Sequence, residues 1–284
     1  MSAEASTKTQ GGTLKRYREL CQKGSAEILL FDKYVFRPIS IFPTIAFIKL
    51  GIQPNTATFI SFVAALASVV CFFSHDPAFM LAGALLAFVY YTLDHVDGEL
   101  ARYYIRTGQR KPELSGAYFD TVVHSYSSNL MLFAFGMSLG NEYGYRWAPY
   151  LGFVACIGVS NFAELVAARM LVQKLVQRPE TLTDPDAQKA LKRIELLEDF
   201  VKAVGNVGFN LTTLKKIVRE TLGFPGNLIL IIVAAVVDAL TTGIEVGGLV
   251  IDARLVVITV MAVVHGLKSA VYLRAWLKLL RPIR

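Results

Sequence analysis

Hydropathy along this chain rises and falls in long waves. Apolar stretches at 55–74, 78–93, 117–139, 147–172, 224–242 and 255–280 alternate with charged intervals. Most are long enough to cross the ~30 Å hydrocarbon slab of a bilayer as helices, and a helix satisfies its own backbone there. The pattern predicts an all-α, polytopic membrane helix bundle with six transmembrane helices. The second stretch is the shortest before acidic residues begin, so its helix must continue past Asp94 toward the aqueous boundary.

The flanks read differently. Residues 1–12 are polar, predicting a disordered tail and no cleavable signal peptide. From 13 to 54, basic and aromatic residues mix with apolar ones, and Pro38 and Pro43 interrupt what could otherwise be a span. This reads as an amphipathic juxtamembrane segment in which Lys33, Arg37 and Lys49 snorkel while Phe31, Phe36 and Phe42 dip into lipid; a re-entrant or spanning helix is the alternative. Residues 55–284 form the six-helix transmembrane domain, interrupted at 177–223 by a polar cytoplasmic helical insert. There Pro185 can open a helix carrying Leu191, Ile194, Phe200, Val201 and Val204 at helical spacing. The insert either caps a cytoplasmic cavity or lies on the membrane. Gly136 and Gly140 make a small-x-x-x-small pair that serves either packing within one protomer or a homodimer.

Composition and charge sharpen the membrane reading. Hydrophobic residues make up 54% of the 284, and the mean hydropathy is +0.47, far above an ordinary soluble domain. Of the 29 Lys and Arg residues, all but Arg146 and Arg254 fall on one side of the predicted topology. That bias places both termini and the insert in the cytoplasm. A net charge of +7 suits anionic lipid headgroups and phosphates, with no nucleic acid required. Cys21, Cys71 and Cys156 are scattered without metal spacing and read as reduced packing residues.

Against this apolar background the carboxylates between 94 and 124 are out of place. Asp94, Asp97, Gly98, Ala101 and Arg102 close the second stretch, and Gly116, Asp120 and His124 open the third. Spacings of three and four put Asp94, Asp97 and Gly98 on one helix face, and Asp120 and His124 on another. Two facing helices would then present three carboxylates and an imidazole to one cavity, while His95 points elsewhere. Acids at membrane depth mark function, with a cation as partner. Carboxylate oxygens suit Mg²⁺ or Mn²⁺, ions commonly shared with substrate phosphates. Gly98 and Ala101 clear room for a bulky phosphorylated ligand. Lys268, Arg274 and Arg169 either meet a phosphate or anchor the cytoplasmic side, and His265 shares the sixth span. Pro54-Asn55 predicts a helix start with Asn55 as its cap. No P-loop, dinucleotide-binding glycine motif or Ser-His-Asp arrangement is present.

At these residues the chain resembles the CDP-alcohol phosphotransferase family, whose signature reads D-x-x-D-G-x-x-A-R, a variable gap, then G-x-x-x-D-x-x-x-D. Asp94, Asp97, Gly98, Ala101 and Arg102 match the first half, and Gly116 and Asp120 the second; His124 stands at the final aspartate. Pro54-Asn55-Thr56-Ala57-Thr58 is similar to the family's Pro-Asn-x-x-Thr lead into its first membrane helix. The resemblance implies an enzyme moving a phosphatidyl or related group from a CDP-linked donor to the hydroxyl of a small polar alcohol, such as inositol, inositol phosphate or glycerol phosphate, with release of CMP. It implies two divalent ions held by Asp94, Asp97, Asp120 and His124, with Asn55, Thr58, Gly98, Ala101, Arg102 and Gly116 toward the nucleotide. Asp120 and His124 would be catalytic. His124 inherits the position of the base, and the alternatives are a metal ligand, which would favour Mn²⁺ or Zn²⁺, and a mark of lost activity. A catalytically impaired relative that binds CDP-lipid or acts as a scaffold is the competing class. A carrier fits less well, because the acids cluster at one boundary instead of lining a route.

Overall fold

The computed structural model describes residues 14–23, 32–111, 114–157 and 226–280. The 1–12 tail, Phe31, Arg169 and the 177–223 insert lie outside them. Residues 14–21 form α1, a π-helical turn at Asp32–Phe36 runs into α2 (Arg37–Lys49), and α3 (Pro54–Phe72), α4 (Pro77–Arg106), α5 (Leu114–Tyr143) and α6 (Ala148–Ile157) follow. After α7 (Gly226–Leu240) come β1 (Ile244–Val246), β2 (Leu249–Ile251) and α8 (Ala253–Leu280). Lys268 and Arg274 fall on the last part of α8, where only the backbone is described. The described chain is mostly helical, as the waves of hydropathy predict.

Two helices, α3 and α4, are long and apolar enough to cross a membrane; α6, α7 and the first half of α8 are shorter apolar helices. Helix α3 shows how such a sequence packs. Its inward face is small or hydroxylated, with Ala57, Thr58, Ser61, Ala65 and Ser68 buried, while Phe59, Val63 and Val70 are 56%, 50% and 69% exposed. Small residues let backbones approach, and Ser68 Oγ donates to Gly83 O of α4 at 2.8 Å. Bulky apolar residues thus point outward along a helix long and apolar enough to cross a membrane.

Helix α4 is the hub, packing against α2, α3 and α7. Its start is fixed by Asp76, whose Oδ1 accepts a hydrogen bond from Ala78 N at 2.8 Å, a side-chain N-cap. Thirty residues give a rod of about 45 Å, so it runs well beyond Leu93, as its acids require. Asp94 lies about 26 Å along that rod.

Pro38 and Pro43 lie in the first turn and the interior of α2, which at 13 residues is shorter than a membrane span. Two local expectations are corrected. Phe36 does not dip into lipid. It shares a stripe with Ser40 and Thr44 that faces α4, is 3% exposed, stacks on His95, and meets Tyr91 edge-on and Phe88 at a tilt; Phe42, off that stripe, is 60% exposed. Asn55 does not cap α3, because the helix begins at Pro54, with Gln53 in the cap position and no side-chain cap bond. The fold also includes one antiparallel hairpin, Ile244 opposite Ile251 and Val246 opposite Leu249, turned by Gly247 and Gly248 at φ 59° and 81°, values a two-residue primed turn requires.

Gly136 is spent inside the protomer. A Cβ there would sit 2.6 Å from Ala148 O and 2.9 Å from the Gly152 Cα, and one at Gly140 would meet the Pro149 ring at 3.1 Å. The pair is thus a seam between α5 and α6. Near it, Arg254 is buried among Asp238 (2.9 Å), Asp252 (2.6 Å) and Glu142 (2.5 Å) and donates to Ser138 Oγ at 2.6 Å. This network ties α5, α7 and α8 together.

Candidate metal centre

Asp94, Asp120 and His124 come together from α4 and α5, with one ligand atom of each within 4.8 Å of the others. Helical spacing supplies half of this, since Asp120 and His124 are one turn apart, and the α4–α5 approach supplies the rest. The ring Nδ1 of His124 lies 2.9 Å from the carbonyl oxygen of Asp120. A carbonyl only accepts, so Nδ1 carries the proton. In the neutral ring Nε2 is then an acceptor, and it faces Asp94 Oδ1 at 3.2 Å. Asp120 Oδ1 is 3.1 Å from Nδ1, but that proton is committed to the carbonyl. Asp94 Oδ1 and Asp120 Oδ1 are accordingly buried without a hydrogen bond despite their short ring contacts. Facing acceptors repel unless a proton or a metal ion lies between them. Two carboxylates and an imidazole are a donor set for a divalent cation, and the orphaned oxygens fit that occupant.

Asp97 stands apart from the trio. It is 7% exposed, and its Oδ2 accepts a hydrogen bond from Thr58 Oγ1 at 2.6 Å; the charges of Asp94 and Asp120 both act on it. Thr58, 3% exposed, thus serves Asp97 from the first turns of α3. Asn55 lies close by, its Oδ1 3.1 Å from where a Cβ on Gly116 would be. The glycine at the start of α5 lets that side chain in. Gly98 is not open space: a Cβ there would meet the Arg102 guanidinium, Nη1 at 3.3 Å and Nη2 at 3.5 Å. Arg102 also donates through Nε to Cys21 O. Ala101 is half-buried on the same helix.

Three residues in and around this cluster escape a reading of the signature alone. Glu99 is 1% exposed and accepts from Ser40 (2.9 Å), Thr44 (2.6 Å) and Gln22 (3.0 Å), clamping α1 and α2 to the motif helix. The hydroxyls at 40 and 44, four apart on an otherwise apolar stripe, are its sequence signal. Tyr90, one turn before Asp94, is fully buried, its hydroxyl among the charges of His124, Asp94 and Asp120. Asp32 accepts from Tyr91 Oη at 2.7 Å and lies 3.3 Å from His95 Nε2. Burial pushes the Asp32 carboxyl up, but the His95 and Tyr91 contacts with the Arg37 charge outweigh it and hold it below the usual carboxylate range. His95 therefore faces the N-terminal segment, on the opposite side from the trio. His265 is elsewhere, its Nδ1 2.8 Å from Ala155 O.

Comparison of the chain with protein-family models and with curated proteins finds no match.

Proposed function

We propose that this chain is a multi-pass membrane transferase of the CDP-alcohol phosphotransferase type, moving a phosphatidyl or related group from a CDP-linked donor to a small polar alcohol. The observation that carries the reading is the meeting of Asp94, Asp120 and His124 around two orphaned carboxylate oxygens, within a spaced signature. In the reading, six helices span the bilayer, and both termini and the carboxylates face the cytoplasm. A divalent ion, Mg²⁺ or Mn²⁺, would be held by Asp94 and Asp120 with Asp97 beside them, and His124 would serve either as a further ligand or as the base; when bound the ion neutralises phosphate charge and stabilises departing CMP. Thr58 fixes the Asp97 carboxylate. Arg102, over Gly98, supplies positive charge beside the donor phosphates, and Asn55 against Gly116 lines the nucleotide side.

The acceptor hydroxyl forms a new O–P bond as the bond to the CMP oxygen breaks, and its proton must leave. His124 is placed for that role: with Nδ1–H held by the Asp120 carbonyl, Nε2 is the basic nitrogen. If the ring instead ligates the ion, Asp120 takes the proton. The test is CMP release by purified full-length protein from CDP-diacylglycerol with pooled polyols and polyol phosphates, in Mg²⁺ and in Mn²⁺. The expected result is metal-dependent release, lost in Asp97→Asn and His124→Ala, with division of the pool naming the acceptor. Metal-dependent CDP binding with no release of CMP under any acceptor would overturn the enzyme reading and leave a CDP-lipid-binding or scaffold protein.

A further inference from the structure

A second charged recess lies in the N-terminal segment, away from the carboxylates. It exists because α1 is seated end-on against α4. Arg102 Nε donates to Cys21 O, and Arg106 Nη1 donates to Glu19 O at 2.6 Å and Leu20 O at 2.9 Å. These guanidinium groups satisfy carbonyls that a helix C-terminus leaves unpaired. With α1 so held, Arg18, Gln22 and Lys23 from its end and Lys33, Arg37 and Pro38 from the start of α2 line a cavity of about 180 Å³. Four of the six lining residues are cationic and none is acidic.

Nearby acids are already engaged. Glu99 accepts from Ser40, Thr44 and Gln22, and Asp32 from Tyr91. Among the described residues no ion pair involves Arg18, Lys23, Lys33 or Arg37. Arg37 Nη1 donates to Lys23 O at 3.1 Å, and the Lys33 ammonium lies over the Tyr34 ring at 5.2 Å. Like charges lining one small recess repel, and an anion relieves that repulsion. The volume limits which anion. Pockets for drug-sized ligands run to roughly 300–1,000 Å³, so the recess itself suits a headgroup-sized ion. Guanidinium forks and ammonium groups together are the usual ligands of phosphate.

We propose that this recess between α1 and α2 binds a phosphate group, presented either by an anionic lipid headgroup or by a free phosphate. A bound phosphate would brace the N-terminal segment on the motif helix, because Gln22 Nε2 joins the recess wall, through Arg37 O at 2.9 Å, to Glu99 Oε1 at 3.0 Å. The site does not depend on the transferase reading.

The test uses the full-length protein in detergent, with EDTA present throughout so that the carboxylate group cannot recruit phosphate through a metal. Native mass spectrometry reads binding of phosphatidic acid against phosphatidylcholine, and calorimetry reads binding of inorganic phosphate. The variant is Arg18→Gln with Lys33→Gln, whose side chains make no hydrogen bond among the described residues, and Lys49→Gln is a control outside the recess. The expected result is selective binding of at least one probe, weakened ~10-fold or more in the double variant, as loss of two charged contacts requires, and changed less than about 2-fold in Lys49→Gln. Binding of phosphatidic acid alone assigns a lipid source, and binding of inorganic phosphate assigns a soluble one. The proposal is overturned if neither probe binds selectively, if the double variant binds like the parent, or if Lys49→Gln weakens binding equally.

Discussion

Thr58→Val replaces one hydroxyl with a methyl group in the neighbourhood of the candidate metal centre while keeping the branched shape of the side chain. The hydroxyl lost is the one that donates to Asp97 Oδ2 at 2.6 Å, between residues 3% and 7% exposed. A hydrogen bond to a charged group contributes about 1.5–3 kcal/mol, and about 1.4 kcal/mol corresponds to tenfold in an equilibrium constant. Metal affinity should then fall by roughly 10–150-fold, overlapping the ~10–100-fold that loss of an outer partner of a ligand typically costs. The assay is Mn²⁺ titration of purified full-length protein by electron paramagnetic resonance, with CMP release measured alongside and circular dichroism reporting the helices. Thr58→Ser keeps the donor and should bind Mn²⁺ within a few-fold of the parent. Unchanged affinity in Thr58→Val would refute the assignment of Asp97 to the ion. Loss in Thr58→Ser without loss in Thr58→Val would instead trace the effect to packing of the methyl group.

Two further outcomes follow from the geometry away from that centre. Arg254→Met leaves Asp238 and Asp252, 5% and 3% exposed, without their cation and should destabilise the fold by about 3–5 kcal/mol; Arg254→Lys, which loses the planar fork, should cost less, and Glu142→Gln, at a partner 26% exposed, least of all. Thermal unfolding in one detergent checks that order, and an Arg254→Met protein as stable as the parent would sink it. Burial and the Glu99 charge push the Cys21 thiol from its ordinary 9.0 up to about 11, so at pH 8 its reactive thiolate is roughly 100-fold scarcer than for an ordinary thiol. In a Cys71→Ser, Cys156→Ser background, iodoacetamide labelling should keep rising tenfold per pH unit beyond pH 9, and a profile that levels off near 9 contradicts the burial argument.

What could be read from the sequence divides along a physical line. Helical periodicity is local, so it correctly paired Asp120 with His124 and kept His95 off their face. The extension of α4 beyond Leu93 was also legible, because charged residues must leave hydrocarbon. Which acids would meet across helices was not, since that depends on how closely α4 approaches α5: Asp97 turned toward Thr58 and the trio closed without it. Phe36 was misplaced for the same reason. An aromatic residue beside a membrane is equally at home in lipid or against protein, and only the stripe it shares with Ser40 and Thr44, both serving Glu99, decides. Asn55 looked like a cap because its residue type favours one, yet Pro54 starts the helix a position earlier and frees Asn55 to lie against Gly116. The hairpin was written in Gly247-Gly248 but masked by the surrounding apolar waves.

Two glycines illustrate opposite mechanical regimes. At Gly136 the missing side chain is replaced by the backbone of the next helix, so α5 and α6 cannot slide past one another without a collective shift, a microsecond-to-millisecond event. At Gly98 the same vacancy is filled by the tip of Arg102, a side chain. That side chain is itself half-buried and held to Cys21 O at the end of α1, so clearing it takes a rotamer change that also releases that carbonyl, slower than the picosecond-to-nanosecond flips of exposed side chains. The molecule thus combines a backbone seam with a side-chain plug, and a ligand arriving over Gly98 would have to displace one guanidinium from the end of α1 and not a whole helix.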